Sequence, residues 1–308
     1  MPDYKRYGIA GATLATILLT GQIMQITSAT NHASAADVQA MPLPVAISDI
    51  KLTAADEATL VTASLYSSLA TSQGTQQPLT SETCKVTLSG TPIAAALVDL
   101  ELSAPCAPNE RVVIHHNGMM FSDVTDGTGM FSTTVPALNE TAVFIASLAG
   151  GAGAVANVTV EEIFSYDRAV VQMQGNSGIG LHAREFGAEY GDPRHIWSER
   201  PGDIVDGVTG HGGFLIQLGD SSLENPLVAQ IYTFPSGMAK EIGDIALSVD
   251  IEITASNCDK DIEAQTLQTS RGEKIAVQTL DMSMPTCDAV GDFLMLKKLV
   301  NDMKVAFN

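Results

Sequence analysis

"RVVIHHNGMMFSDV", residues 111–124, carries the pattern that decides the fold. Asn117-Gly118 lies between two runs rich in β-branched and apolar residues, and Asn-Gly is a favoured centre for a two-residue type I′ hairpin because both positions tolerate positive φ. Pairing outward from that turn puts Val112, Ile114, His116, Met119 and Phe121 on one face and Val113, His115, Met120 and Ser122 on the other. The first face is apolar enough to be core. The neighbouring histidines point to opposite faces, which argues against a metal site built from this pair.

The same texture continues in both directions. "CKVTLSG", "AALVDLELSAPC", "GMFSTTV", "TAVFIASLA" and "AVANVTVEEI" read as strands around the hairpin. Beyond residue 163, "YDRAVVQMQG", "GGFLIQLGD", "LVAQIYTFP", "IALSVDIEITASNC" and "KIAVQTLDMSMPTC" do likewise, and no long helical period competes with them. The last run, "DFLMLKKLVNDMKVAF", reads as a hairpin turning at Asn301-Asp302. "GNSGIG" (175–180) reads as a glycine-rich turn. The expected fold is all-β: two tandem β-sandwich-like domains, 82–162 and 163–308, after an N-terminal apolar helix and a linker.

The N-terminus sets the compartment. Lys5 and Arg6 precede "YGIAGATLATILLTGQIMQI" (7–26), a charge-free stretch about as long as a bilayer is thick. Basic residues ahead of the span place the rest of the chain outside the cytoplasm. Residues 1–35 are therefore a signal peptide, with Ala33 and Ala35 forming an A-x-A site, or a retained membrane anchor. Both predict a periplasmic protein, and an anchor would touch the membrane through residues 7–26. Residues 36–81 are a Pro-, Gly-, Gln- and Ser-rich linker, with one short helix expected from a Thr53/Asp56 cap.

Four cysteines cluster in two local pairs, which predicts the disulfides Cys84–Cys106 and Cys258–Cys287 in an oxidising compartment. A formal charge of −19 with pI near 4.5 opposes the phosphate backbone, so nucleic acid is not an expected partner.

"FSDVTDGTGMFSTTVPAL" (121–138), with Thr125-Asp126 ahead of Gly129, resembles the T-D-x-x-G hairpin of transthyretin-like, carboxypeptidase-regulatory-like β-sandwich modules. The resemblance spans residues 84–162 and implies a structural or adhesive module. Its acidic turn lacks the further oxygen ligands and bidentate glutamate of a calcium loop. Over most of its length the chain also resembles a group of exported, translocase-labelled proteins of marine and photosynthetic alphaproteobacteria, on "APCAPNERVVIHHNGMMF", "LHAREFGAEYG", "YTFP" and "CDAVGDFLMLK". That resemblance implies an envelope location. The chain itself carries no phosphate-binding loop to drive translocation.

One stretch stands apart. "LHAREFGAEYGDPRHIW" (181–197) gathers two histidines, two arginines, a tyrosine and the single tryptophan. Read as a metal centre, it offers His182, Glu185 and His195, with His211 nearby. "YGDPRHIW" resembles the iron-binding run of intradiol dioxygenases, but Trp197 stands where their second histidine belongs. Hydrolase and redox motifs are missing: there is no G-x-S-x-G, no H-E-x-x-H and no C-x-x-C redox pair.

The docking reading requires less. Arg168, Arg184, Arg194 and Arg200 are four of seven arginines, and Arg, Tyr and Trp are enriched at the energetic centres of interfaces. Arg184, Tyr190, Arg194, Trp197 and Arg200 are the interface candidates. The internal alternative has Arg184 and Arg194 pairing with Glu185, Glu189 or Asp192, and Trp197 plugging a core. The expected function is thus non-enzymatic: a binding or structural protein, an accessory or assembly subunit of a membrane complex of the cell envelope, with no cofactor. The runner-up is a metal-dependent periplasmic enzyme with its site in residues 181–211.

Overall fold

Asn117 and Gly118 both adopt positive φ, 49° and 93°, and close a two-residue turn in which His116 pairs with Met119. The hairpin is therefore the one the sequence predicts. Val112, Ile114, His116, Met119 and Phe121 are buried, while Val113, His115 and Met120 are partly exposed. The computed structural model describes residues 85–306 except 176 and 297. The apolar segment 7–26, the linker helix at Thr53/Asp56 and Cys84 lie outside the described residues.

In chain order the strands are β1 (Thr87–Ile93), β2 (Leu97–Ser103), β3 (Arg111–His116), β4 (Met119–Val124), β5 (Met130–Pro136), β6 (Thr141–Leu148) and β7 (Gly153–Thr159). Then follow β8 (Asp167–Gln174), β9 (Ile179–Glu185), β10 (His195–Ile196), the short helix α1 (Ile204–Thr209), β11 (Phe214–Leu218) and β12 (Leu227–Phe234). The last are β13 (Gly243–Glu252), β14 (Asp261–Ser270), β15 (Ala276–Ser283), β16 (Phe293–Leu296) and β17 (Met303–Val305). They form four antiparallel sheets, ordered β1-β2-β5, β4-β3-β6-β7, β11-β12-β8-β14-β15, and β10-β9-β13-β16 with β17 also on β13. The protein is all-β, with sandwich-like packing.

One sheet has both faces covered. Val170 of β8 joins the core of residues 95–163, together with Phe214, Leu218, Ala229, Ile231 and Leu267. Its neighbours Ala169 and Val171 join a second core with Leu181, Tyr232, Leu247 and Val249. A strand buried on both faces reads as a continuous apolar run, which is why "AVVQM" lacks alternation. Gln172 is polar within that run because it ties the two halves together. It accepts from Met120 N at 2.7 Å and donates to Gly118 O at 2.9 Å and to Gln265 Oε1 at 2.7 Å.

Three local expectations change. Residues 125–129 do not close a hairpin: β4 pairs with β3 and β5 with β2, so the turn carries the chain from one sheet to another. Asp126 Oδ1 holds it by accepting from Thr128 N, Thr128 Oγ1 and Met130 N. A Cβ on Gly129 would lie 2.0 Å from Ala104 O, which explains the glycine there. At the C-terminus β16 and β17 are strands, but they do not pair with each other. Both run antiparallel to β13, opposite residues 249–252 and 243–245, as two pieces of one interrupted edge. The bulge between them is fastened where Asp302 Oδ1 accepts from Leu247 N at 2.9 Å. Finally, residues 261–270 form the strand β14, which the sequence reading passed over.

Cys258 and Cys287 are joined as a disulfide. Cys106 is disulfide-bonded as well, while its expected partner Cys84 lies outside the described residues.

Candidate functional site

The stretch 181–197 is a strand, a turn and a strand. In β9, Ile179, Leu181 and Ala183 are buried against the second core, so Gly180, His182 and Arg184 must face outward. The chain turns through residues 186–194, starting with Phe186 at φ 53° and Gly187 at φ 81°, and returns as β10, where His195 pairs with Arg184 and Ile196 with Ala183. On the other side of β9, His182 pairs with Ser248 and Gly180 with Asp250 of β13. One outward face thus collects His182, Arg184, His195, Ser248 and Asp250.

A hydrogen-bonded chain runs across this face. Gly191 N donates to His195 Nδ1 at 3.1 Å, and the facing nitrogens His195 Nε2 and His182 Nδ1 are 2.8 Å apart. A backbone N–H only donates, so His195 Nδ1 accepts, its proton sits on Nε2, and Nε2 donates to His182 Nδ1. His182 then carries its proton on Nε2, which faces Asp250 Oδ2 at 4.0 Å. Tyr190 reaches back from the turn to the same carboxylate, donating to Asp250 Oδ2 at 2.7 Å, with its oxygen 3.0 Å from Ser248 Oγ. Asp250 Oδ1 is buried and has no hydrogen-bond partner among the described residues. Gly180 makes room: a Cβ there would lie 3.2 Å from His182 Nε2.

Rings and cations cover the chain. Trp197 stacks on His182 and His195, with ring centres 5.2 and 5.6 Å apart. The Arg184 guanidinium lies 4.6 Å from the centre of the Tyr190 ring. Arg200 Nη1 donates to Gly191 O and Asp192 O and so pins the turn. Burial, helped by His182, Arg184 and Arg200, lowers the His195 pKa to about 4. Burial and Arg184 lower His182 as well, against the attraction of Asp250. Both imidazoles are neutral at pH 7. Burial foremost, and then Asp250, push the Tyr190 phenol up.

The trio His182, Glu185 and His195 is not brought together. Glu185 follows Arg184 on β9 and so faces the opposite way, where it is 2% exposed. Its Oε1 accepts from Tyr232 OH at 2.6 Å and Gly213 N at 2.7 Å, and burial raises its pKa. His211 follows α1 and bonds to Thr209 Oγ1, apart from the cluster. The two histidines that do meet are each other's partners.

Among the interface candidates, Arg184, Tyr190, Trp197 and Arg200 surround the histidine pair. Arg194 does not. It pairs with Glu241 at 2.8 Å and lies over Phe186, so the expected links from Arg184 and Arg194 to Glu185, Glu189 or Asp192 are not the ones made. Trp197 is half-buried on the outer face rather than plugging a core. Ser248, Asp250 and Gly180 were missed as site residues. The signal for Asp250 was an acid between the apolar residues Val249 and Ile251 of "IALSVDI". The face continues onto the edge strand β16: Met295 pairs with Asp250 and Phe293 with Glu252, and these two side chains are 43% and 67% exposed. Compared with known protein families and with characterised proteins, the chain matches none.

Proposed function

We propose that this is a non-enzymatic binding protein of the cell envelope, an accessory or assembly subunit that docks a membrane-associated protein partner on the outward face of the β10-β9-β13-β16 sheet. One observation carries the reading: Arg184, Tyr190 and Trp197 are held in a fixed platform by the histidine chain, and exposed Met295 and Phe293 extend it. Pre-fixed aromatic and arginine side chains lose little entropy on association, and exposed apolar side chains beside them supply area to bury. Three of the four ring nitrogens in the histidine pair are already hydrogen-bonded within the protein, which favours a structural use of the imidazoles. The Cys258–Cys287 disulfide and the apolar run behind Lys5 and Arg6 support a location outside the cytoplasm.

The test is site-specific photo-crosslinking in intact native membranes. A photoreactive side chain at Phe293 should give one discrete adduct with a membrane-complex subunit, and Tyr190→Ala/Trp197→Ala should abolish it. The control is Val277 on β15, which belongs to a different sheet and is also exposed. Equal labelling from residue 277, or none from residue 293, removes the reading.

A further inference from the structure

Besides Phe186 N–H on Asp244 O at its start, the turn 186–194 is attached through Tyr190 on Asp250 and Ser248, Gly191 N–H on His195, and Arg200 on the carbonyls of Gly191 and Asp192. The attachment of Gly191 to His195 depends on where the imidazole protons sit. All N–H groups in the chain point one way, from Gly191 through His195 and His182 toward Asp250. Another proton has no acceptor. Placed on His182 Nδ1, it meets the N–H of His195 Nε2; placed on His195 Nδ1, it meets the N–H of Gly191. Either position sets two donors against each other, and a bond so opposed opens.

The groups facing the pair reinforce this. Arg184 on β9 and Arg200 after β10 bring positive charge to it, and Trp197 covers both rings. Opposing them is Asp250 on β13, whose Oδ2, the oxygen that faces the pair, already accepts from the hydroxyl of Tyr190 in the turn.

From this geometry we propose that the His195–His182 pair is an acid-sensitive latch: uptake of one proton detaches the turn 186–194 at Gly191, uncovers Asp250 and Ser248, and takes Tyr190 away from Arg184 and Trp197. The latch stands on the hydrogen-bond chain alone. Its consequence, a docking face remodelled by acid, rests on the proposed function above.

Trp197 is the only tryptophan, so its emission reports on this face. The full chain is titrated from about pH 7.5 to about pH 3.5, with emission, far-UV circular dichroism and amide exchange followed together, because a lowered histidine titrates within that window. A reversible emission change is expected before secondary structure is lost. In the same step, protection of the Gly191 amide should fall by roughly tenfold or more, while β9 and β13 stay protected. His195→Gln should remove the step. The long-range ¹⁵N–¹H spectrum of the wild-type imidazoles gives an answer that does not depend on any variant folding. Both rings neutral at pH 7, with the protons on Nε2, is the expected result. A charged ring, the other tautomer, or an unchanged Gly191 amide through the acid step overturns the latch. Crosslinking from residue 293 at pH 7 does not depend on the latch, so either idea can fail while the other stands.

Discussion

Arg168 and Ala95 are joined by a 2.7 Å hydrogen bond from guanidinium Nη2 to a main-chain carbonyl, at a side chain that solvent does not reach. The same nitrogen donates to Ala96 O at 2.9 Å, and Nε donates to Thr233 Oγ1 at 3.2 Å. No carboxylate among the described residues pairs with it, and burial pushes its pKa down to about 9, still charged at neutral pH. Ala95 and Ala96 both lie in the left-handed region, φ 64° and 51°, where an L-residue is strained. The guanidinium holds this strained turn between β1 and β2 onto β8, as Gln172 holds the Asn117-Gly118 turn.

Replacing Arg168 by Met should therefore destabilise the protein. Ala95 O loses its donor at roughly 1–3 kcal/mol, while Ala96 O keeps Ala137 N–H at 3.1 Å; with the relief of no longer burying a charge, the net loss is about 1 kcal/mol. Urea denaturation checks it through the midpoint at constant slope. A variant as stable as the wild type would mean that desolvation of the guanidinium cancels its hydrogen bonds.

The hairpin was legible because everything that fixes it is local: Asn-Gly sets the turn and period-two alternation sets the faces. β9 was not, because Gly180, His182 and Arg184 interrupt Ile179, Leu181 and Ala183, and a short strand with a charged outer face looks like a loop. β14 hid for a different reason: Ala264, Thr266 and Thr269 are buried, and small or hydroxylated residues inside give little hydropathy contrast. The candidate site was half legible. Its histidines, Tyr190 and Trp197 share one segment, but Asp250 and Ser248 reach them only through the β9–β13 register, which no local pattern encodes. The C-terminal strands show the same limit, since alternation identifies a strand and leaves its partner open.

Acid should weaken the fold through His116. Its Nδ1 is 3.0 Å from Val143 O and its Nε2 accepts from Leu138 N at 2.9 Å, so the buried ring is fully satisfied only when neutral. Burial lowers its pKa from 6.5 to about 4. A base with a lowered folded pKa contributes stability that is present above about pH 6.5 and lost as the pH falls toward about 4. At ~1.4 kcal/mol per unit, that amounts to about 3 kcal/mol. Denaturation at about pH 7 and about pH 4.5 should show much of this loss. His116→Gln, which can offer both bonds without titrating, should flatten that part of the profile, leaving the share due to His182 and His195.

The buried pair Glu185–Tyr232 predicts a penalty with the opposite pH trend. Tyr232 OH donates to a carboxyl whose pKa burial raises, and the bond favours the charged form. In Tyr232→Phe, Gly213 N–H is left as the donor to Glu185 Oε1, at a cost of about 1–2 kcal/mol. The penalty should grow as the pH rises from about 5 to about 7.5, because the ionised carboxylate loses more than the neutral acid. Comparing wild type and variant at both pH values isolates this term; a gap that does not change with pH would mean that Glu185 stays in one protonation state throughout.

The Cys258–Cys287 bridge ties the turn after β13 to the short helical turn that leads into β16. Its stabilisation should be both global and local. Closing a loop of 29 residues is worth about 3–4 kcal/mol by the chain-entropy model. Beyond that, β16 is a four-residue edge strand that pairs, among the described residues, with β13 alone, so the bridge sets how firmly Phe293 and Met295 are presented. Cys258→Ser/Cys287→Ser should lower the denaturation midpoint and raise amide exchange in residues 293–296 above that in β9. If exchange rises uniformly across both strands, the bridge acts on the unfolded chain alone and the edge strand holds itself.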